Sequence, residues 1–357
     1  MLQSKKITEI FLKGGIRKSK EELMGKNITM KDIARELQVS TVTVSKALSD
    51  KEGVSESVRQ KIKQKADEMG YRYNSLARSM KEGVSYNVGV VVAERFFSDN
   101  AFYANLYQRL VIELGKENYS CILEILSYED EKQDVMPKMI SGNKVDGLIV
   151  LGQLKKHYVT ALEKEDITYI FLDWYDEQFA IDTVVSDNVY GGCILTNYLI
   201  ENGHRRIGFV GDIMATSSIL DRYLGYYKAL LQQEIPVRED WIIKDRDENG
   251  RFIHLELPEE MPTAFVCNCD EIAYYLVKQL NESGYRVPED ISVVSFDDFI
   301  YASLCNPQLT TFRISQEMMA ETVVDALTRK MKDRTYHAGR KVISGNIVIR
   351  DSVCQIK

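Results

Sequence analysis

A chain of 357 residues with a formal net charge of −7 is too long for one compact core and suits a small domain joined to a two-lobed one. The charge is uneven: residues 1–83 carry 18 Lys and Arg against 11 Asp and Glu, a net of +7, which leaves 28 against 42, a net of −14, for residues 84–357. Only the N-terminal part is therefore suited to meet phosphate, and the acidic total is no argument against DNA. No apolar run is long enough for a membrane span and no signal-peptide pattern stands at the start, so a cytoplasmic protein is expected.

In chain order, the first informative stretch is Ile28 to Ser49. Thr29 and Asp32 form a capping box, and Ile33, Ala34 and Leu37 give the helix behind it one apolar face. Gln38-Val39-Ser40 turns the chain, and Ser40 caps a second helix from Thr41 whose Val44, Ala47 and Leu48 face inward. This is a helix-turn-helix pattern. Its candidate DNA contacts are Thr29, Ser40, Thr41, Val42, Thr43, Ser45 and Lys46, with Thr41, Val42, Ser45 and Lys46 turned outward on the recognition helix. Thr41-Val42 lacks a bidentate base reader, so direct readout rests on methyl contacts and on Lys46. A third helix, capped by Ser55, runs through Val58, Ile62, Ala66 and Met69 to Gly70. Any helical hairpin in a large protein can show this pattern, so the stretch alone leaves a structural reading open.

From residue 86 onward apolar strands alternate with amphipathic helices, the pattern of parallel sheets wrapped by helices. Strands are predicted at 87–93, 119–126, 146–151, 168–172, 206–210, 263–267 and 291–296. Helices are predicted at 101–117, 131–141, 188–202, 219–233, 270–283 and 315–332. Ligands bind beyond the carboxyl ends of such strands. That rule selects Asp173 after Phe171-Leu172, and Asp297 after Phe296. Arg222 opens a helix behind the polar loop Asp212–Ser218. Carboxylates accept hydroxyl hydrogens and a guanidinium donates in a planar fork, so Asp173, Arg222 and Asp297 together suit the diols of a sugar. Trp174 offers a ring to stack on an apolar sugar face. The structural alternative has Asp297 capping a turn, Asp173 pairing with a lysine and Trp174 as plain packing.

Other residues carry less. The cysteines at 121, 193, 267, 269, 305 and 354 show no repeated C-x-x-C spacing and no nearby histidine, so they read as reduced thiols, mostly buried, with no metal site. His204 reads as structural. Tyr223, Tyr226 and Tyr227 at helical spacing read as core or surface, and Gly191-Gly192 is a weak nucleotide signal. No nucleophile, base and orienter appear together, so no catalytic residue or cofactor is assigned and an enzyme on this architecture is a distant reading.

Several motifs in combination give the chain a family resemblance: Met30-Lys-Asp-Ile-Ala34, Val39-Ser-Thr-Val-Thr-Val-Ser45, Asn74-x-x-Ala77-Arg78, Asp187-Asn-x-x-Gly-Gly192, Gly203-His-Arg-Arg-Ile207, Arg222-x-x-Gly225 and Val287-Pro-Glu-Asp-Ile-Ser-Val-Val-Ser-Phe-Asp297. Over about residues 27 to 354 the chain resembles the LacI/GalR (lactose-repressor) family of transcription regulators. The resemblance implies an N-terminal all-α helix-turn-helix domain plus an α/β periplasmic-binding-protein-like sensor of two parallel-sheet lobes. The implied boundaries are an extension at 1–26, a DNA-binding domain at 27–73, a hinge helix at 74–85 and an effector-binding and dimerisation domain at 86–357. It also implies effector contact at Asp173, Arg222 and Asp297, and DNA contact by Asn74, Ala77, Arg78 and Met80. Implied partners are a palindromic double-stranded operator, a second copy of the chain and a small effector, a sugar in the main reading. A protein co-repressor or a nucleobase is the alternative.

Departures from the family pattern matter as well. Met80 stands where relatives usually carry a leucine wedge for the minor groove, and Tyr73 where a proline often ends the third helix. The segment Lys244–Met261 is short and charged where relatives carry a further helix, so no effector contact is assigned between Trp241 and Pro262. No leucine heptad follows the last strand, which favours a dimer over a tetramer. The extension has two readings. Met24-Gly-Lys-Asn-Ile-Thr-Met30 resembles a usual start for these repressors, and Lys20-Glu-Glu-Leu23 is encodable as a purine-rich ribosome-binding sequence. Translation from Met24 is then expected, and an intact mass from the native host that includes Met1 would sink it. The other reading is a basic arm of Lys5, Lys6, Lys13, Arg17, Lys18 and Lys20 that adds phosphate contacts.

Overall fold

The computed structural model describes residues 28–71, 82–97, 101–179, 181–248 and 250–356, and its internal contacts divide the chain into two units after Gly83. The extension 1–26 and the hinge residues Asn74, Ala77, Arg78 and Met80 lie outside the described residues.

The first unit holds α1 (Met30–Leu37), α2 (Thr41–Leu48) and α3 (Glu56–Glu68). The capping box is present at α1, where Asp32 accepts from the Thr29 backbone N–H at 3.0 Å and from its hydroxyl at 2.7 Å. Gln38 ends α1 in the left-handed region with φ 52°, and the Ser40 hydroxyl then accepts from the Thr43 N–H at 3.0 Å to start α2. Ile33, Val44, Ala47 and Ile62 form the centre of the core, with Leu37, Leu48, Val58 and Met69 partly covered around it. Ser55 occupies the N-cap of α3, but its hydroxyl makes no cap bond. The tie between α3 and the end of α2 is instead Arg59, which donates to the Ala47 carbonyl at 3.4 Å and the Lys51 carbonyl at 2.9 Å. Carbonyls at a helix end have no partner within the helix, so a guanidinium there fills an obligatory need.

The second unit has two lobes. The first lobe is a parallel sheet of β1 (Asn87–Ala93), β2 (Ser120–Leu126), β3 (Gly147–Leu151), β4 (Thr168–Leu172), β5 (Thr183–Ser186) and β11 (Arg340–Ile343), in the order β11-β5-β4-β3-β1-β2. The second holds β6 (Ile207–Val210), β7 (Ile242–Ile243), β8 (Ala264–Cys267), β9 (Ser292–Asp297), β10 (Thr310–Arg313) and β12 (Asn346–Val348), in the order β12-β10-β9-β8-β6-β7, with only β12 antiparallel. Helices α4 (Ala101–Lys116) and α8 (Gln316–Lys332) pack together on the first lobe; α5 (Asn188–Glu201), α6 (Ser217–Gln232) and α7 (Asp270–Glu282) belong to the second. Strands such as Val88–Val92 and Leu148–Leu151 are buried along their whole length, as helices on both faces require.

The chain passes between lobes after β5, after β10 and after β11. These passages pack backbone on backbone: the Asp187 N–H donates to the Ile343 carbonyl at 2.9 Å, and a Cβ on Gly345 would stand 2.3 Å from the Arg313 carbonyl. Only glycine fits there.

Three expectations change. The single helix predicted at 131–141 is two short turns, Tyr128–Lys132 and Lys138–Ser141, because Pro137 lacks an N–H and biases the residue before it away from helix. Arg222 lies in the second turn of α6, which begins at Ser217, and does not open the helix. Of the six free cysteines only Cys267 and Cys305 are buried, the others being half-buried. Among the described residues no helix is long and apolar enough to cross a membrane.

Candidate functional site

On the first unit, Thr41, Val42 and Lys46 are exposed on α2, with Thr43 and Ser45 half-buried beside them. Val42 is 65% exposed, an apolar branched side chain left in water on the helix that would face bases, and such a side chain suits a thymine methyl group. Thr29 and Ser40 are exposed too, but their hydroxyls already serve the caps of α1 and α2.

In the second unit the carboxyl ends of β4, β8 and β9 carry Asp173, Asn268 and Asp297. Arg222, on α6, is 5% exposed and uses its whole fork. Its Nε donates to Asn188 Oδ1 at 2.8 Å, Nη1 to the Asn268 carbonyl and Nη2 to Asp297 Oδ1 at 3.2 Å, while its plane lies 4.6 Å from the centroid of the Phe296 ring. Burial raises the Asp297 carboxyl above the usual carboxylate range, although the charge and hydrogen bond of Arg222 oppose this.

Asp173 belongs to the other lobe. Its backbone is left-handed, with φ 64°, and its Oδ2 accepts the Tyr103 hydroxyl at 2.9 Å. Burial pushes its carboxyl up to about 6, opposed by Arg222 and Tyr103 and reinforced by Asp297. Arg222 and Asp297 of the second lobe thus act electrostatically on Asp173 of the first. Its remaining oxygen, Oδ1, is buried without a hydrogen-bond partner among the described residues. The start of α6 docks on the same loop: Ser218 Oγ donates to the Asp173 carbonyl at 3.1 Å, and Tyr175 Oη donates to Asp221 Oδ1 at 2.8 Å.

Trp174 is placed differently from the expected stacking surface. Its ring is buried and stacked on Phe171, with centroids 4.0 Å apart, and its indole N–H has no partner among the described residues. Phe171 covers one face of the indole. Asp173 pairs with Tyr103 and not with a lysine. His204 is structural, its Nδ1 3.0 Å from Thr263 Oγ1 and its Nε2 3.1 Å from the Cys354 carbonyl. Tyr226 is core and donates to the Ile207 carbonyl at 2.8 Å.

Sequence reasoning missed Tyr103, Asn188, Asn268, Asp270 and the pair Asp245–Arg246. Asp270 is buried and accepts from Ser295 Oγ at 2.5 Å, Thr311 Oγ1 at 2.7 Å and the Phe299 N–H at 2.6 Å, so it fixes the turn that presents Asp297. The available signal was position: Asn268 and Asp245 stand within two residues of a strand's carboxyl end, as Asp173 and Asp297 do.

Comparison with known proteins agrees with this architecture. Residues 29–74 match the bacterial regulatory proteins of the lacI family, and residues 196–353 match the periplasmic binding protein-like domain. Among curated proteins, the HTH-type transcriptional repressor PurR of Vibrio campbellii (strain ATCC BAA-1116) is 28% identical over 331 residues, 91% of this chain and 98% of its own. Among solved structures, the lac repressor dimer bound to operator and the anti-inducer ONPF superposes with a TM-score of 0.75 at 22% identity, covering 92% of this chain and all of that one. A complex of the transcriptional regulator CelR with cellobiose gives a TM-score of 0.67 at 22% identity over 91% of this chain and all of that one. With the reading unit, the two parallel lobes and these matches in agreement, the chain belongs to the LacI family of bacterial regulatory proteins and is a DNA-binding transcription regulator.

Proposed function

We propose that this protein is a repressor of carbohydrate-utilisation genes whose operator affinity is set by a sugar held between the sensor lobes. The observation that carries the reading is the buried, unpartnered Oδ1 of Asp173, in electrostatic range of the Arg222–Asp297 pair of the other lobe. A buried acceptor without a donor costs about 1–3 kcal/mol, so a ligand hydroxyl that donates to it is favoured. Tyr103, Asp173, Arg222 and Asp297 then contact both lobes through one molecule. A ligand that prefers one lobe arrangement shifts the equilibrium toward it, typically with a coupling of about 1–3 kcal/mol. The likeness to the CelR–cellobiose complex supports a saccharide; the likeness to repressors named PurR keeps a nucleobase on the panel as second reading.

On the DNA side, Thr41, Val42, Ser45 and Lys46 read the major groove, and two copies of the chain place two such helices on a palindrome. Residues 74–85 form the hinge in this reading, with Asn74, Ala77, Arg78 and Met80 toward the minor groove.

The test is fluorescence anisotropy of an operator selected from random DNA by this protein, titrated at fixed salt with saccharides and nucleobases. One saccharide is expected to shift the curve. Arg222→Ala is expected to bind the operator and lose the shift; a persisting shift removes Arg222 from the site. Specific binding with no response to any small molecule moves the reading to a protein co-repressor.

A further inference from the structure

Behind β7 an acid and a base are buried together. Asp245 is fully buried and accepts from the Asp212 N–H at 2.8 Å, Asn268 Nδ2 at 2.7 Å, Arg246 Nε at 3.0 Å and Arg246 Nη2 at 2.7 Å. Burial works against its charge, yet the hydrogen bonds and charge of Arg246 hold its carboxyl below the usual range. The Arg246 side chain is 11% exposed; its Nη2 also reaches Asn268 Oδ1 at 3.3 Å, and its plane lies 5.2 Å from the Phe252 ring centroid. The chain folds back so that Arg246 bridges to Phe252 and the Ile253 N–H donates to the Asp245 carbonyl at 3.0 Å.

This knot adjoins the effector cleft. Asn268, which holds Asp245, also gives its carbonyl to Arg222. Arg246 lies within electrostatic range of Tyr103, whose neutral hydroxyl donates to Asp173 in the opposite lobe. A Cβ on Gly250 would meet Arg95 Cδ of that lobe at 3.7 Å. With Nε and Nη2 engaged, Arg246 Nη1 has no hydrogen-bond partner among the described residues.

A guanidinium only donates, so Nη1 requires an acceptor on the ligand. The charge of Arg246 is matched by Asp245 and that of Arg222 by Asp297, which leaves the Asp173 carboxylate as the unmatched charge of the region, so an anionic acceptor meets net repulsion. We propose that Arg246 is a specificity-determining residue: through Nη1 it donates to a hydroxyl or ring oxygen of a neutral, polyhydroxylated effector, and the surrounding carboxylates select against sugar acids and sugar phosphates. The inference rests on the cleft reading above.

Calorimetry on the full chain tests it with glucose, galactose, cellobiose, lactose, glucuronate, glucose 6-phosphate, adenine and guanine as probes. Arg246→Lys keeps a charge beside Asp245 but gives up the planar fork. The double variant Asp245→Asn/Arg246→Met removes both members, so no buried charge is stranded. At least one neutral sugar is expected to bind the wild type, more tightly than either anionic sugar, with Kd rising about 10- to 100-fold in both variants. Unchanged Kd in both variants, tighter binding of an anionic sugar, or no binding by any neutral sugar overturns the proposal. Arg222→Ala run alongside separates the levels. If nucleobases alone bind and Arg222→Ala abolishes that binding, the cleft stands and the class assignment falls; if Arg222→Ala leaves all binding intact, the cleft reading itself falls.

Discussion

At the scale of single residues, Asp173 is held at a cost. Its carboxyl is raised to about 6 by burial, only partly offset by Arg222 and Tyr103. The folded protein therefore holds this proton more tightly than the unfolded chain does. The stability from this group is full below about pH 4 and is lost as pH rises through 6. Asp173→Asn removes the charge, so the variant is expected to be more stable than the wild type at pH 7.5, by up to about 3 kcal/mol, and to lose that advantage below pH 4. Urea unfolding of both proteins across this range decides it, and a difference independent of pH shows that the carboxyl is not strained. Asp173 and Asp297 were legible in the sequence because charged residues at the ends of apolar strands stand out, and Arg222 through the Arg222-x-x-Gly225 motif behind a polar loop, although it lies in the second turn of α6. Tyr103 was not, since Phe102-Tyr103 reads as the apolar face of α4, and neither was the burial of Trp174 against Phe171, because a ring beside a carboxylate gives no sign of what packs on it.

At the scale of elements, the orientation of Arg222 depends on two glycines. A Cβ on Gly192 of α5 would stand 2.2 Å from the Arg222 carbonyl, and one on Gly225 of α6 would stand 2.2 Å from the Val189 carbonyl. The two helices therefore touch backbone to backbone, and Arg222 sits one turn before the second contact. Gly225→Ala is expected to force them apart, costing on the order of 2–4 kcal/mol and displacing the guanidinium. A lower urea midpoint together with a lost effector response is the expected pair of results. Gly115→Ala on α4, where nothing lies within 4 Å, is the control and gains about 0.5–1 kcal/mol from helix propensity. Both glycines were visible in the sequence as motif positions, but their purpose was not: Gly191-Gly192 suggested phosphate, whereas the structure uses Gly192 for helix packing. The long helices and strands β1 to β4 and β9 were legible because each runs for five or more residues of one periodicity, and the four-residue β6 and β8 because they are wholly apolar. Strands β5, β7, β10, β11 and β12 have two to four residues each, too few to show a pattern, and β11 and β12 are placed by their return through the passages between lobes.

At the scale of the whole molecule, the division after Gly83 coincides with the change in sign of the charge, +7 before it and −14 after it. In the proposed reading, phosphate binding is then a property of the first unit and effector binding one of the second. Lys46 provides the separating test. It is exposed on α2, beside Val42 and Ser45, and its contribution to the reading helix was inferred from spacing alone. Lys46→Ala is expected to weaken operator binding and, if the ammonium meets phosphate, to reduce the slope of log K against log salt by about 1. If it meets a base edge instead, the slope holds and discrimination at one operator position relaxes by about 1–3 kcal/mol. In either case calorimetric effector affinity stays at the wild-type value, because the cleft is built wholly from residues after Gly83. Anisotropy at four salt concentrations, with the selected operator and a set of single-base variants, distinguishes the two modes. An operator affinity unchanged at every salt concentration would mean that α2 is not the helix that faces DNA.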